Sequence, residues 1–172
     1  MRGRAGESVV LLARVRAGEA AAARAAIAEH WPARQSPFAL VPGTHLARVQ
    51  VLRPPGRRFR RAPGEHLLLA ADFDGALAPW LLALRAAAAG PLDAVLSHCA
   101  FYPGTAEPAA FVRWVHANRT PVGFSVIGSP GATVAEVSEA LALRDGLAAF
   151  AQSTQRLGPS ELRAAWGEWR NG

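Results

Sequence analysis

Thr44–Gly75, THLARVQVLRPPGRRFRRAPGEHLLLAADFDG, decides how the rest of the chain is read. From Thr44 to Leu52 the residues His45, Ala47, Val49 and Val51 alternate with Leu46, Arg48 and Gln50. That period of two sends successive side chains to opposite faces of a strand. His66 to Phe73 repeats the pattern, with Leu67, Leu69, Ala71 and Phe73 on one side and His66, Leu68, Ala70 and Asp72 on the other. The arginine-rich connection between these two strands is too long for a tight two-residue hairpin turn. Asp74-Gly75 closes the second strand, and Asp72 or Asp74 stands where a carboxylate would cap the free amides of a following helix.

Upstream, Ser8 to Val15 is apolar at nearly every position, which fits a central strand covered on both faces. Gly18 opens an alanine-rich helix that runs to Trp31 and stops at Pro32, with Ala22, Ala23, Ala26 and Ile27 as a thin stripe for lying close on a sheet. PARQSPFALVPG, residues 32–43, holds three prolines and reads as an irregular crossover. Downstream, ALAPWLLALRAAAAG reads as a second helix stopped by Gly90-Pro91. A short helical segment, LDAVLSHCAFYPG, and a helix from about Ala106 to Asn118 follow. PVGFSVIG, Pro121 to Gly128, reads as a fourth strand. Thr133 and Glu136 form a capping box for a long helix to about Ala151, and Pro159 to Arg170 makes a last short helix bearing Trp166 and Trp169.

The order β-α-β-β-α-β matches an α+β ferredoxin-like arrangement with an antiparallel sheet and extra helices. The expected division is a flexible segment 1–7, a ferredoxin-like domain 8–153 and a helical tail 154–172. One face of such a sheet lies under its helices, and either a second copy or the added helices would cover the other; with the two-sided apolar first strand and Trp166 and Trp169 on a terminal helix, a homodimer is expected.

The 172 residues carry 51% apolar and 19% charged side chains, the composition of a globular chain. Every basic residue is arginine. The net charge is +6, and Arg53, Arg57, Arg58, Arg60 and Arg61 supply most of it from one connection that also holds Phe59. Such a loop is an anion-contact candidate for nucleic acid, an anionic lipid surface or an acidic partner, although a solvated hairpin tip is the commoner outcome for a charge run with glycine and prolines. The single cysteine, Cys99, excludes an internal disulfide framework and any multi-cysteine metal site, and a cytoplasmic setting fits. The apolar run Val9–Val15 is broken by Arg14, and no stretch approaches the roughly 18 consecutive apolar residues of a membrane span.

GTHLARVQVL, LLLAADFDGAL, LDAVLSHCAFYPGTAE and SPGATVAEV, in that order, resemble bacterial domains of the dimeric α/β-barrel superfamily that are associated with dye-decolourising-peroxidase-like sequences. The resemblance covers roughly Ser8 to Phe150. It implies either a small-molecule-binding or accessory domain, or an oxidoreductase, haem-dependent and peroxidase-like or cofactor-free. It also invites comparison of Ala71–Gly75 with the peroxidase GxxDG motif, in which the aspartate acts on peroxide above a haem. Here alanine replaces the first glycine.

No phosphate-loop, Rossmann, zinc-hydrolase or serine-hydrolase motif is present, and Ser125 lacks the second glycine of a nucleophile elbow. His98 is a thin candidate for an axial haem ligand. The stretch His98-Cys99 with Tyr102-Pro103-Gly104 otherwise reads as a packed helix end, with Cys99 buried as a small hydrophobe and Tyr102 anchoring the turn. His45 reads as a core histidine and His116 as an edge residue. The ligand-binding candidates are Arg14, Arg48, Gln50, His66, Asp72, His98 and Tyr102. Most belong to the alternate sheet face, where placed polar groups in an apolar wall are what a pocket needs. Arg48 and Asp72 pairing across a dimer interface is the competing reading. No metal ligand set is expected.

Overall fold

A computed structural model of the chain describes residues 6–32, 36–53, 64–123 and 131–171. The chain is α+β and forms two compact units, Met1–Val134 and Ala135–Gly172. The first begins with strand β1 (Glu7–Arg14), helix α1 (Ala20–His30), a 3-10 turn at Pro37–Leu40, and strands β2 (Thr44–Leu52) and β3 (His66–Phe73). Helices α2 (Leu77–Leu96) and α3 (Pro108–Ala117) and strand β4 (Arg119–Thr120) complete it. The strands form one antiparallel sheet in the order β2-β3-β1-β4. β1 is therefore interior in the sheet, but among the described residues only its Val9, Leu11 and Ala13 face is buried; Leu12 is 37% exposed, so the expected cover on both faces is not seen. β1 pairs with β3 from Glu7↔Phe73 to Arg14↔His66 and with β4 through Val10↔Thr120 and Leu11↔Arg119.

The inward face of the sheet carries Val9, Leu11 and Ala13 from β1 and Leu67, Leu69, Ala71 and Phe73 from β3, all buried with Leu77, Trp80, Leu84, Leu92 and Leu96 of α2 and Phe111, Trp114 and Val115 of α3. Phe73 stacks on Trp80 at 4.4 Å between ring centroids, and Phe38 links Trp80 to Trp31 at 6.3 and 5.3 Å. This row of rings ties the 3-10 turn into the core, so the proline-rich crossover is anchored by Phe38 where its prolines alone suggest irregular chain. A void of about 20 Å³ remains among Val9, Leu69, Trp80 and Leu96.

The expected break between the second helix and the short helical segment after it is present inside α2, two residues before Gly90, and three other sequence expectations are corrected. The helix kinks at Ala88 (φ −146°, ψ 36°) and resumes to Leu96, so Pro91 falls in the first turn after the kink, where a missing amide costs no hydrogen bond. Neither Asp72 nor Asp74 caps α2: the Leu77 amide donates to Glu7 Oε2 at 3.1 Å, a carboxylate delivered by the start of β1. The fourth strand lies at Arg119–Thr120, and Pro121 to Gly123 follow it outside the sheet; residues 124–128 fall outside the described ones. The packing stripe of α1 is Ala20, Ala23, Ala26 and Ile27, while Ala22 is exposed.

The second unit is a helical hairpin of α4 (Val134–Thr154) and α5 (Pro159–Asn171). Phe150, Trp166 and Trp169 cluster with ring centroids 5.2 to 5.7 Å apart. Gly146 faces Trp169, and a Cβ there would only make ordinary van der Waals contact with the ring at 3.7 Å. No residue of either helix is buried. No described helix is long and apolar enough to cross a membrane.

Candidate functional site on the open sheet face

The strand register arranges the outward side chains in rows. Ser8, Asp72 and Leu46 form one row, Val10, Ala70 and Arg48 the next, then Leu12, Leu68 and Gln50, and finally Arg14, His66 and Leu52. The first two rows enclose a shallow depression of about 240 Å³, lined by Ser8, Val10, Leu46, Arg48, Ala70, Asp72 and Val122. A β-bulge between Thr44 and Leu46 sets the register that keeps Arg48 and Gln50 on this face. The Ser8 hydroxyl donates to Asp72 Oδ1, which orients that carboxylate along the floor.

Arg48 and Asp72 line the same depression and do not pair within the chain. Among the described residues no carboxylate oxygen lies within 4.0 Å of the Arg48 guanidinium, because Arg48 stands opposite Ala70, one row from Asp72. An exposed guanidinium beside an apolar wall presents several fixed donors to a carboxylate or carbonyl. Gln50 is exposed one row further along. Arg14 and His66 face each other at the far end, about 13 Å along the strands from the Val10 row at roughly 3.3 Å per residue. His66 is 7% exposed, and its Nδ1 is buried with no hydrogen-bond partner among the described residues.

The structure places His98 and Tyr102 away from this face. His98 Nδ1 lies 2.7 Å from Glu19 Oε2, and this hydrogen bond holds the Glu19 carboxyl below its ordinary value. A carboxylate on Nδ1 is the usual support of a metal-ligating imidazole, yet neither cavity above includes His98. Among the described residues no group of three or more His, Cys, Asp or Glu side chains is placed to hold a metal ion. Tyr102 donates to Asp93 Oδ1 at 2.8 Å and packs edge-on to Trp114 at 5.0 Å; burial, with the Asp93 bond, pushes its phenol well above the ordinary range. Cys99 is buried, and burial pushes its thiol up to about 12, which removes it from nucleophilic chemistry at neutral pH.

Sequence reasoning missed Asp93. Besides Tyr102, it accepts from the Thr105 amide at 2.9 Å and the Thr105 hydroxyl at 2.8 Å, locking the chain between α2 and α3. Its partners stand nine and twelve residues away across a Pro-Gly turn, a spacing with no period to reveal it. Asp74, the aspartate of the peroxidase-like comparison, is also engaged: His45 Nε2 lies 2.8 Å from Oδ1, and the Val134 amide donates to Oδ2 at 2.9 Å. His45 is thus a half-buried partner of Asp74, and His116 is exposed at the edge of α3. Arg53 is 81% exposed and lies 3.7 Å from Glu65. Arg57, Arg58, Arg60, Arg61 and Ser125 fall outside the described residues.

No family model, curated protein or solved structure matches the chain.

Proposed function

We propose that this chain is a ferredoxin-like binding module of the dimeric α/β-barrel type, acting in the cytoplasm, whose open sheet face associates with a second copy and holds a small molecule at Arg48. The observation that carries this reading is the depression of about 240 Å³ with an apolar wall and a guanidinium that no described carboxylate neutralises. The ligand class is a compact molecule with a carboxylate or carbonyl at the Arg48 end and an apolar body against Val10, Leu46, Ala70 and Val122, with the Asp72 carboxylate as the second charge in the lining, beside Ser8. The sheet order β2-β3-β1-β4, with α1 and α2 each joining two strands that are not neighbours, supports the ferredoxin-like part. Exposed Leu12 and Leu46 on the same face support its association with another apolar face. The engagement of Asp74 with His45 and the Val134 amide favours binding over peroxide chemistry at that carboxylate.

The test is a thermal-shift panel of aliphatic and aromatic carboxylates against the parent and Arg48→Met. A ligand at about 100 times its Kd stabilises by about 2.7 kcal/mol, a shift of several degrees. Arg48→Met should keep the parent's unliganded Tm and lose the shift. An equal shift in both proteins would remove Arg48 from the site. Sedimentation of the parent at micromolar concentration should give twice the 18.1 kDa chain mass.

A further inference from the structure

The open-face depression carries two opposite charges that do not meet. Arg48 stands opposite Ala70, and Asp72 lies two residues further along β3, so the two are diagonal neighbours with Cα atoms roughly 7–8 Å apart. Both line the depression, yet among the described residues no cation lies within 4.0 Å of Asp72 and no carboxylate lies within that reach of Arg48. The one hydrogen bond that Asp72 makes among the described residues is to the Ser8 hydroxyl, a neutral donor, and it engages Oδ1 alone. Oδ2 therefore keeps its full accepting capacity. Between the two charged groups the floor is Ala70, whose side chain is a single methyl, so a small molecule can lie over it and reach both.

A ligand that fills this space withdraws water from both charges. A plain carboxylate compensates Arg48 but leaves Asp72 desolvated against an apolar body, and an unpaired desolvated charge is the unfavourable case. A plain amine leaves Arg48 in the same condition. A zwitterion compensates both, because its carboxylate accepts from the guanidinium and its ammonium donates to Asp72 Oδ2, and hydrogen bonds between charged groups are about twice as strong as neutral ones. An α-amino acid holds the two charged groups and the side chain on one carbon. That matches a charged pair standing beside a wall of Val10, Leu46 and Val122, where Leu46 and Val122 keep 56% and 37% of their surface for an apolar side chain to cover. The size agrees as well, since about 240 Å³ is below the roughly 300–1,000 Å³ of pockets for larger ligands.

We infer that the depression takes a small apolar α-amino acid, with Asp72 reading the ammonium while Arg48 holds the carboxylate. This rests on the Arg48 reading above and adds Asp72 as the residue that sets specificity. The experiment measures affinities by calorimetry for two matched pairs, L-leucine with 4-methylpentanoate and L-phenylalanine with 3-phenylpropanoate, in which the second member lacks only the amino group. In at least one pair the parent should bind the amino acid at least about tenfold more tightly, the scale of one hydrogen bond to a charged group. Asp72→Asn keeps an acceptor for the Ser8 hydroxyl and should retain the parent's unliganded Tm. It should bind both members of that pair equally, and Arg48→Met should bind neither. A parent that binds carboxylates without preferring the amino acid in either pair would overturn this inference and leave the Arg48 reading standing. An Asp72→Asn protein that keeps the preference would do the same. Should Asp72→Asn not fold, the ratio measured in the parent decides alone. A parent that binds neither amino acid nor any carboxylate of the panel above would end both readings.

Discussion

The two faces of the central strands are built from the same eight-residue segments, offset by one position, and their fates differ. On the inward face Leu11, Leu67, Leu69 and Phe73 are at most 6% exposed, locked under α2 and α3. On the outward face Leu12 and Leu46 keep 37% and 56% of their surface, and Arg48, Gln50 and Asp72 stand between them. Alternation alone assigns residues to a face. What covers the face depends on chain connectivity, which here sends α1 and α2 to the same side. The inward face therefore sets stability, and the outward face is the one to which the proposed recognition is assigned.

The sharpest way to break that contrast is to truncate one residue on each side. Phe73→Ala removes a fully buried ring and its stack on Trp80 and should cost about 3–5 kcal/mol, read as a lower urea midpoint. Arg48→Met should stay within about 0.5 kcal/mol of the parent. Equal losses would mean that the outward face is also structural. Asp93→Ala tests whether a polar node can matter as much as a core ring. It leaves buried Thr105 without its acceptor and should cost about 2–3 kcal/mol in the same assay.

A smaller effect is expected in alkaline solution. Cys99, with an ordinary thiol value of 9.0, is pushed up to about 12 by burial, and Tyr102 is raised as well. The folded chain then holds protons that the unfolded chain releases, so this contribution to stability is complete below pH 9 and is lost as pH rises toward about 12. Melting temperatures should fall across that window, and Cys99→Ala should make the decline shallower. The smallest change is reserved for the arginine-rich connection. Replacing Arg57, Arg58, Arg60 and Arg61 with serine should alter stability by less than about 0.5 kcal/mol. It should abolish any retention on heparin at low salt, since each neutralised phosphate or sulfate otherwise releases counterions. A parent that heparin does not retain at low salt leaves the connection no part in anion contact.

The strands β2 and β3 were legible to the residue because alternation of Val, Leu and polar side chains has few competing explanations. α1, α3 and α5 were legible from proline and alanine punctuation. The break inside α2 was legible to within two residues, since Gly-Pro marks a helix boundary and the kink at Ala88 places Pro91 in a fresh first turn. The cap of α2 was not legible. Glu7 lies seventy residues from the amide it receives, and proximity in sequence favoured Asp72 and Asp74. Of the candidate site, Arg48 and Asp72 were recoverable from strand parity. His98 and Tyr102 were chosen for residue type, and only tertiary contacts assign them to Glu19 and Asp93.

The interior position of β1 has a consequence for how the chain reaches this state. Ser8 pairs with Asp72 and Leu11 with Leu69, so the strand emerges from the ribosome well before its partner exists. Pairings between such distant residues are intrinsically slow to form. Throughout that wait Val9-Val10-Leu11-Leu12-Ala13 is an unpaired, charge-free, β-prone segment, the kind that nucleates aggregation. Arg14 and Arg16 directly flank it, and flanking charges are the residues that hold such segments apart. Their first service is thus rendered during synthesis, and neutralising both should lower the yield of soluble chain in cells.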